Sequence, residues 1–129
     1  MTTNPDRPLS PHLQVYNLPL SARISILHRM AGVVLSAGTL LVAAVLISAA
    51  LGEVWYNRVM DLAMTDIGKF VIFGWSAAMY YHMLSGIRHM IMDTGAMMSH
   101  KGAAISGWLV ILGAIALTAA TWFCVCSFR

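Results

Sequence analysis

The chain has few charged residues, and this shortage excludes an ordinary soluble domain. Of its 129 residues, 10% are Asp, Glu, Lys or Arg, whereas 59% are hydrophobic. A soluble domain usually carries about 25% charged residues, so this chain lacks the polar surface that keeps a protein dissolved. Its length corresponds to a single domain over residues 1–129.

Cysteines are also few, and their spacing argues against a metal site or a disulfide. Cys124 and Cys126 lie in an apolar segment, and side chains two positions apart on a helix point in nearly opposite directions. We interpret both as small hydrophobic side chains inside a membrane. The sequence has neither a cysteine cluster for an iron–sulfur centre nor the glycine pattern of a nucleotide-binding loop.

Two further absences concern partners and processing. The net charge is only +3 and no basic stripe is present, so nucleic acid is not an expected partner. The N-terminal stretch lacks the short apolar core and cleavage site of a secretory signal.

Three long apolar runs dominate what is present. They cover roughly residues 29–51, 68–92 and 103–126, and each supplies about 20 or more residues, enough to span a hydrocarbon core of about 30 Å. Because backbone groups in lipid must satisfy their own hydrogen bonds, each run is predicted to be a helix. The predicted fold is all-α, an integral membrane anchor of three helices surrounded by membrane lipid.

The segments outside these runs complete the predicted topology. Four prolines up to Pro19 predict an irregular N-terminal surface segment, residues 53–67 a short amphipathic surface helix, and Gly95 to Gly102 a loop. Lys and Arg are more frequent before the first run and after the second than elsewhere. The positive-inside rule then predicts a multi-pass protein of a bacterial inner membrane, with a cytoplasmic N-terminus and a periplasmic C-terminus.

Polar residues interrupt two of the runs on one face each. His82, Gly86 and His89 stand at i, i+4 and i+7 of the second run. Ser25, His28, Arg29 and Gly32 stand at i, i+3, i+4 and i+7 where the first run begins. Since the first helix leaves the cytoplasmic side and the second returns to it, we expect both faces to meet there.

His82 is the most informative of these residues because its predicted position is close to the bilayer centre. An ionisable group there costs roughly 2.5–3.5 kcal/mol on insertion scales, and His82 is too deep to extend to the interface. Neutral imidazole is a good ligand for iron, so we predict that His82 is an axial ligand of a b-type haem, with space for the macrocycle beside Gly86. His28, Arg29 and His89 lie nearer the cytoplasmic side, where haem propionates would point.

If the haem is six-coordinate, the second axial ligand is expected from another chain, because His12, His28 and His100 lie too near the surface to reach an iron at mid-depth. His82 and His89 lie roughly 10.5 Å apart along one helix and cannot bind one iron from opposite sides. For Arg29, Arg88 and Asp93, a simpler role as interfacial anchors is equally consistent with the sequence, because charged groups near helix ends reach water.

Three other functions are compatible with a membrane protein of this composition. Thioether and imidazole ligands suit Cu(I), which would make the chain a copper-handling protein. The methionines near the histidines are Met83, Met90, Met92, Met97 and Met98. The other two functions are a structural anchor without haem and a proton-conducting channel that uses the histidines.

Two sequence motifs resemble the signatures of a known family, the cytochrome b anchor subunit of succinate dehydrogenase, respiratory complex II. The first is RPLSPHL followed by SILHR, and the second is HMLSGIRHMIMDTG from His82 to Gly95. In the first, the family usually has a small hydroxyl residue where this chain has Ala31. The resemblance covers almost the whole chain.

The resemblance implies a subunit that works with three other proteins. A flavoprotein subunit oxidises succinate, and an iron–sulfur subunit passes the electrons to ubiquinone where it meets the anchor. A second small membrane anchor subunit shares the haem b and gives one histidine. The N-terminal strip before Ser25 would dock against the iron–sulfur subunit. The succinate-oxidising site lies outside this chain.

The resemblance also assigns roles to individual residues. It makes His82 the axial ligand, and His28 and Arg29 contacts of the haem propionates. Ser25 would hydrogen-bond a quinone carbonyl, and Arg29 would favour the anionic, reduced forms of the quinone. Asp93 would belong to the proton route to the quinone.

Overall fold

The computed structural model of the chain describes residues 16–127, and within them it contains four α-helices and no strand. The helices are α1 (Leu20–Leu51), α2 (Glu53–Met64), α3 (Asp66–Asp93) and α4 (His100–Ser127). The all-α prediction is confirmed. The count of three helices is not, because the 53–67 segment, expected as a minor surface helix, forms a separate element between the first two predicted spans.

Local sequence sets where each helix begins and ends. Pro19, in an extended conformation, precedes α1, and Gly52 separates α1 from α2 with a φ of 108° that favours glycine. The Thr65 Oγ1 accepts a hydrogen bond of 3.1 Å from the Gly68 N–H and so caps α3. Gly95 follows α3 with a φ of 85°, and Ser99 accepts from the Gly102 N–H at the start of α4.

These boundaries correct the predicted segments. Helix α1 begins at Leu20 rather than near residue 29, so residues 20–24 of the predicted irregular segment are helical. The apolar run marks only the part of α1 that lipid would cover, whereas the helix continues through Ser and Arg residues beyond it. The predicted 95–102 loop shortens because α4 begins at His100. Residues 1–15 of the predicted N-terminal segment, including Arg7, Pro8 and His12, lie outside the described residues.

Two of the four helices in the described part are long and apolar enough to cross a membrane, α1 and α4. Helix α3 contains the second predicted span but is less apolar, since it carries Lys69, Arg88 and two histidines. Most large apolar side chains point outward, including Val33, Leu40, Phe70 and Phe123, each at least 72% exposed. Lipid or partner helices can cover such an apolar surface, whereas its exposure to water would be unfavourable.

Helix α3 lies between α1 and α4 and packs against both, and its contacts with α1 run antiparallel. At one end the Tyr81 hydroxyl donates to the Ile24 carbonyl (3.0 Å). Farther along α1, the Trp75 indole lies against the bare backbone of Gly38. Between α3 and α4, Tyr80 bonds Thr121 and the Trp122 indole N–H donates to Ser76. This packing brings the beginning of α1 next to the end of α3.

Candidate functional site

Three histidines from α1 and α3 form a stack of rings, here called the histidine cluster: His28, His82 and His89. The rings of His28 and His82 are 4.0 Å apart between centroids and nearly parallel, with an interplanar angle of 11°. The His28 and His89 rings are 5.0 Å apart and tilted by 31°. The prediction that the polar faces of the two helices meet is therefore confirmed for these three residues.

A main-chain hydrogen bond orients the His82 ring. Its Nδ1 lies 3.1 Å from the carbonyl oxygen of His28. Because a carbonyl oxygen only accepts hydrogen bonds, Nδ1 carries the hydrogen and Nε2 carries the lone pair. A neutral imidazole held through Nδ1 in this way presents Nε2 as a metal ligand.

Two glycines lie against the histidine cluster from opposite helices. A Cβ added to Gly32 would lie 3.1 Å from the His82 Cε1, and one added to Gly86 would lie 3.8 Å from the His28 Cε1. The His28 ring thus borders the space beside Gly86 where the sequence predicted room for a macrocycle.

A cavity of about 490 Å³, here called the Ser25 cavity, lies at the same end of α1 and α3. This volume is in the usual range for small-molecule sites. Its lining residues are Ser21, Ser25, Arg88, His89, Met92, Asp93, Gly95 and Met98. His89 belongs both to this cavity and to the histidine cluster, so the two sites are adjacent.

Arg88 is the residue whose position the sequence did not predict. Its place near the end of the second apolar run is equally consistent with an interfacial anchor, yet the Arg88 side chain is only 4% exposed. Its Nε donates to the Ser106 hydroxyl (2.9 Å), and Nη2 donates to the Ala103 carbonyl (3.1 Å) and weakly to the Ser21 hydroxyl (3.4 Å). Arg88 therefore links α3 to α4 and α1 and forms part of the cavity wall, which excludes the anchor interpretation.

Arg29 and Asp93 are more open than Arg88. Arg29 is exposed, lies outside the cavity lining, and makes no hydrogen bond or ion pair within residues 16–127. Its role at the quinone or at a propionate therefore stays a prediction. Asp93 is exposed at the last position of α3 and lines the cavity.

Comparison with known proteins adds independent evidence. The family model described as "Succinate dehydrogenase/Fumarate reductase transmembrane subunit" matches residues 3–121. The succinate dehydrogenase cytochrome b556 subunit of Rickettsia felis is 39% identical over 116 residues, which cover 90% of each chain. The subunit of the same name from Paracoccus denitrificans is 35% identical over 116 residues, which cover 90% of this chain and 89% of that one.

The chain belongs to this family. The family predicted from the two motifs is thereby confirmed, and the copper-handling alternative gains no support from the relatives. Among the methionines that suggested copper, Met83, Met90, Met97 and Met98 are exposed.

Family membership also clarifies the one departure from the motif. The position that usually carries a hydroxyl is Ala31, which is 8% exposed. Its methyl group packs inside the helix bundle and leaves no hydroxyl to pair there, so the departure requires no compensating partner.

Proposed function

We propose that this chain is the haem- and quinone-binding membrane anchor subunit of a succinate dehydrogenase complex. One observation carries the proposal: the histidine cluster, with an imidazole whose Nε2 is available, lies directly beside the Ser25 cavity. The relatives named as cytochrome b556 subunits support the haem, and their name places them in succinate dehydrogenase.

His82 is the residue we propose as the axial ligand of a haem b shared with a second anchor subunit. The hydrogen bond from Nδ1 to the His28 carbonyl fits this role, because it fixes the ring tautomer and leaves Nε2 for iron. A bound haem would supply a one-electron carrier. His28 and His89 are proposed to contact the propionates, and the exposed guanidinium of Arg29 is free to pair with a propionate or a partner group.

The Ser25 cavity is the proposed site for the head group of ubiquinone. The Ser25 hydroxyl can donate to a quinone carbonyl, and the exposed Arg29, one turn along α1 and outside the cavity lining, would favour the reduced anion by its positive charge. Asp93, exposed at the cavity edge, is placed to exchange a proton with water. The buried, hydrogen-bonded Arg88 keeps positive charge in the cavity wall.

The proposed site also defines how the complex is assembled. We infer three membrane spans, α1, α3 and α4, with the N-terminus in the cytoplasm and the C-terminus in the periplasm. The Ser25 cavity would then face the cytoplasm, where an iron–sulfur subunit can deliver electrons from the flavoprotein subunit. The N-terminal segment before Ser25 is proposed to contact that iron–sulfur subunit.

Replacing Ser25 tests the quinone site. We expect Ser25→Ala to slow quinone-coupled succinate oxidation about two- to twelvefold, as expected for loss of one hydrogen bond of about 0.5–1.5 kcal/mol. Succinate oxidation with an artificial dye, which does not use the quinone site, should continue. Arg29→Ala should also slow quinone-coupled succinate oxidation and leave the dye-coupled rate unchanged.

Ser36→Ala is the matched control. Ser36 is an exposed serine of the same helix, and its hydroxyl donates to the Gly32 carbonyl outside the cavity. Its quinone-coupled rate should equal that of the unmodified complex. Normal quinone rates in both Ser25→Ala and Arg29→Ala, or an equal loss in Ser36→Ala, would refute the proposed quinone site.

A further inference from the structure

The histidine cluster contains the same short pattern twice, once on each helix. His28-x-x-x-Gly32 lies on α1 and His82-x-x-x-Gly86 on α3. Because the two helices pack antiparallel, each histidine lies opposite the glycine of the other pattern. The stacked rings of His28 and His82 fill the space between the two glycines.

The two histidine–glycine contacts are not equally close. A Cβ on Gly32 would lie 3.1 Å from the Cε1 of His82, closer than ordinary van der Waals contact, and 3.6 Å from its Nδ1. A Cβ on Gly86 would lie 3.8 Å from the His28 Cε1, an ordinary contact distance. Of these two positions, only Gly32 would require the opposing ring to shift, by a few tenths of an ångström, to accommodate a Cβ.

The close approach at Gly32 allows the His82 hydrogen bond. In an α-helix the His28 carbonyl already accepts from the N–H of Gly32, four residues on. Its second lone pair accepts from His82 Nδ1 at 3.1 Å, and the His82 ring reaches that oxygen by passing over Gly32. A methyl group at Gly32 would push the ring outward and lengthen this bond.

We propose that Gly32 is a positioning residue for His82, holding its ring against the His28 carbonyl so that Nε2 has the orientation and basicity of an iron ligand. This inference rests on the proposed haem function. A hydrogen bond donated by Nδ1–H makes Nε2 a stronger electron donor, which stabilises ferric over ferrous iron. Weakening the bond should therefore raise the reduction potential of the haem.

Gly32→Ala and Gly74→Ala in the purified complex form a matched pair of glycine-to-alanine changes. In Gly32→Ala we expect the potentiometric midpoint of the haem to move to a higher value and the electron paramagnetic resonance g-values of the oxidised haem to shift. In Gly74→Ala, where the missing Cβ has open space around it, both should equal those of the unmodified complex. Unchanged midpoint and g-values in Gly32→Ala, or equal shifts in both variants, would overturn the proposal.

A double variant covers the case in which Gly32→Ala does not assemble. If the added methyl acts through the His82 ring, Gly32→Ala combined with His82→Ala should assemble as well as His82→Ala alone, because the obstructing ring is gone. A double variant that assembles worse than His82→Ala would overturn the proposal.

The same variants separate this inference from the haem assignment. A complex that keeps its b-type haem in His82→Ala refutes the proposed function. A haem that requires His82 but is insensitive to Gly32→Ala refutes only the positioning role.

Discussion

At the scale of single residues, the buried guanidinium of Arg88 donates its hydrogen bonds to neutral acceptors in the described part of the chain. Arg88 donates to the Ser106 hydroxyl and the Ala103 carbonyl of α4, and no carboxylate lies within ion-pair distance in the described residues. A buried charge is tolerated only when its donors are paired. Ser106 is therefore expected to matter for stability more than an ordinary helix serine.

Ser106→Ala should lower the stability of the complex. The change leaves the Nε of Arg88 without its acceptor, and an unsatisfied buried donor costs about 1–3 kcal/mol. The measurement is the apparent melting temperature of the detergent-solubilised complex. Ser48→Ala is the control, since Ser48 is equally buried at 5% exposed but its hydroxyl donates only to Val45 of its own helix. Equal melting temperatures for the two variants would contradict the role assigned to Ser106.

Residue spacing predicted part of the candidate site and missed another part for a definable reason. Helical periodicity placed His28, His82 and His89 on facing surfaces, because their positions depend only on one helix each. Periodicity could not predict that Arg29 is exposed whereas Arg88 is buried. The burial of Arg88 depends on acceptors supplied by α4, and a pattern read along a single helix contains no information about its neighbours.

At the scale of elements, the Trp75 indole of α3 packs onto the bare backbone of Gly38 in α1. Any Cβ on Gly38 would overlap the Trp75 indole ring. Membrane helices associate through close backbone contact of this kind, because lipid offers no hydrophobic driving force between them. The contact fixes the distance between the two helices that carry the histidine cluster.

Gly38→Ala should therefore weaken assembly, whereas Gly74→Ala should not. Forcing one extra methyl group into a packed interior typically costs about 1–3 kcal/mol. Gly74, on α3 one residue before Trp75, has open space around its missing Cβ and is the matched control. The yield of assembled complex and its melting temperature are the measurements. A Gly38→Ala complex as abundant and as stable as Gly74→Ala would show that this contact does not set the spacing of α1 and α3.

Element identity was more predictable than element boundaries. Apolar runs located all three long helices, and the amphipathic 53–67 segment was confirmed as α2. The runs could not give the beginning of α1 at Leu20, because that boundary depends on Pro19 rather than on hydropathy. The separation of α2 from α3 likewise depends on the Thr65 cap.

At the scale of the whole molecule, the proposed orientation places α2 and the α3–α4 connection on opposite sides of the membrane. In a background with Cys124 and Cys126 replaced by serine, Asn57→Cys in α2 should react with a membrane-impermeant thiol reagent added to intact cells. His100→Cys, where α4 begins, should react only after the inner membrane is opened. The reverse pattern would contradict the orientation, and the cysteine-free background should give no signal.

The central claim for the whole molecule is that one imidazole of this chain binds a haem shared with a partner subunit. The direct test is a reduced-minus-oxidised absorption spectrum of the purified complex, comparing His82→Ala with His100→Ala. Co-purification of the flavoprotein and iron–sulfur subunits with the anchor in both samples verifies that the complex has assembled. The account predicts that the b-type absorption is lost or shifted in His82→Ala and unchanged in His100→Ala. An unaltered b-type spectrum in His82→Ala would contradict it.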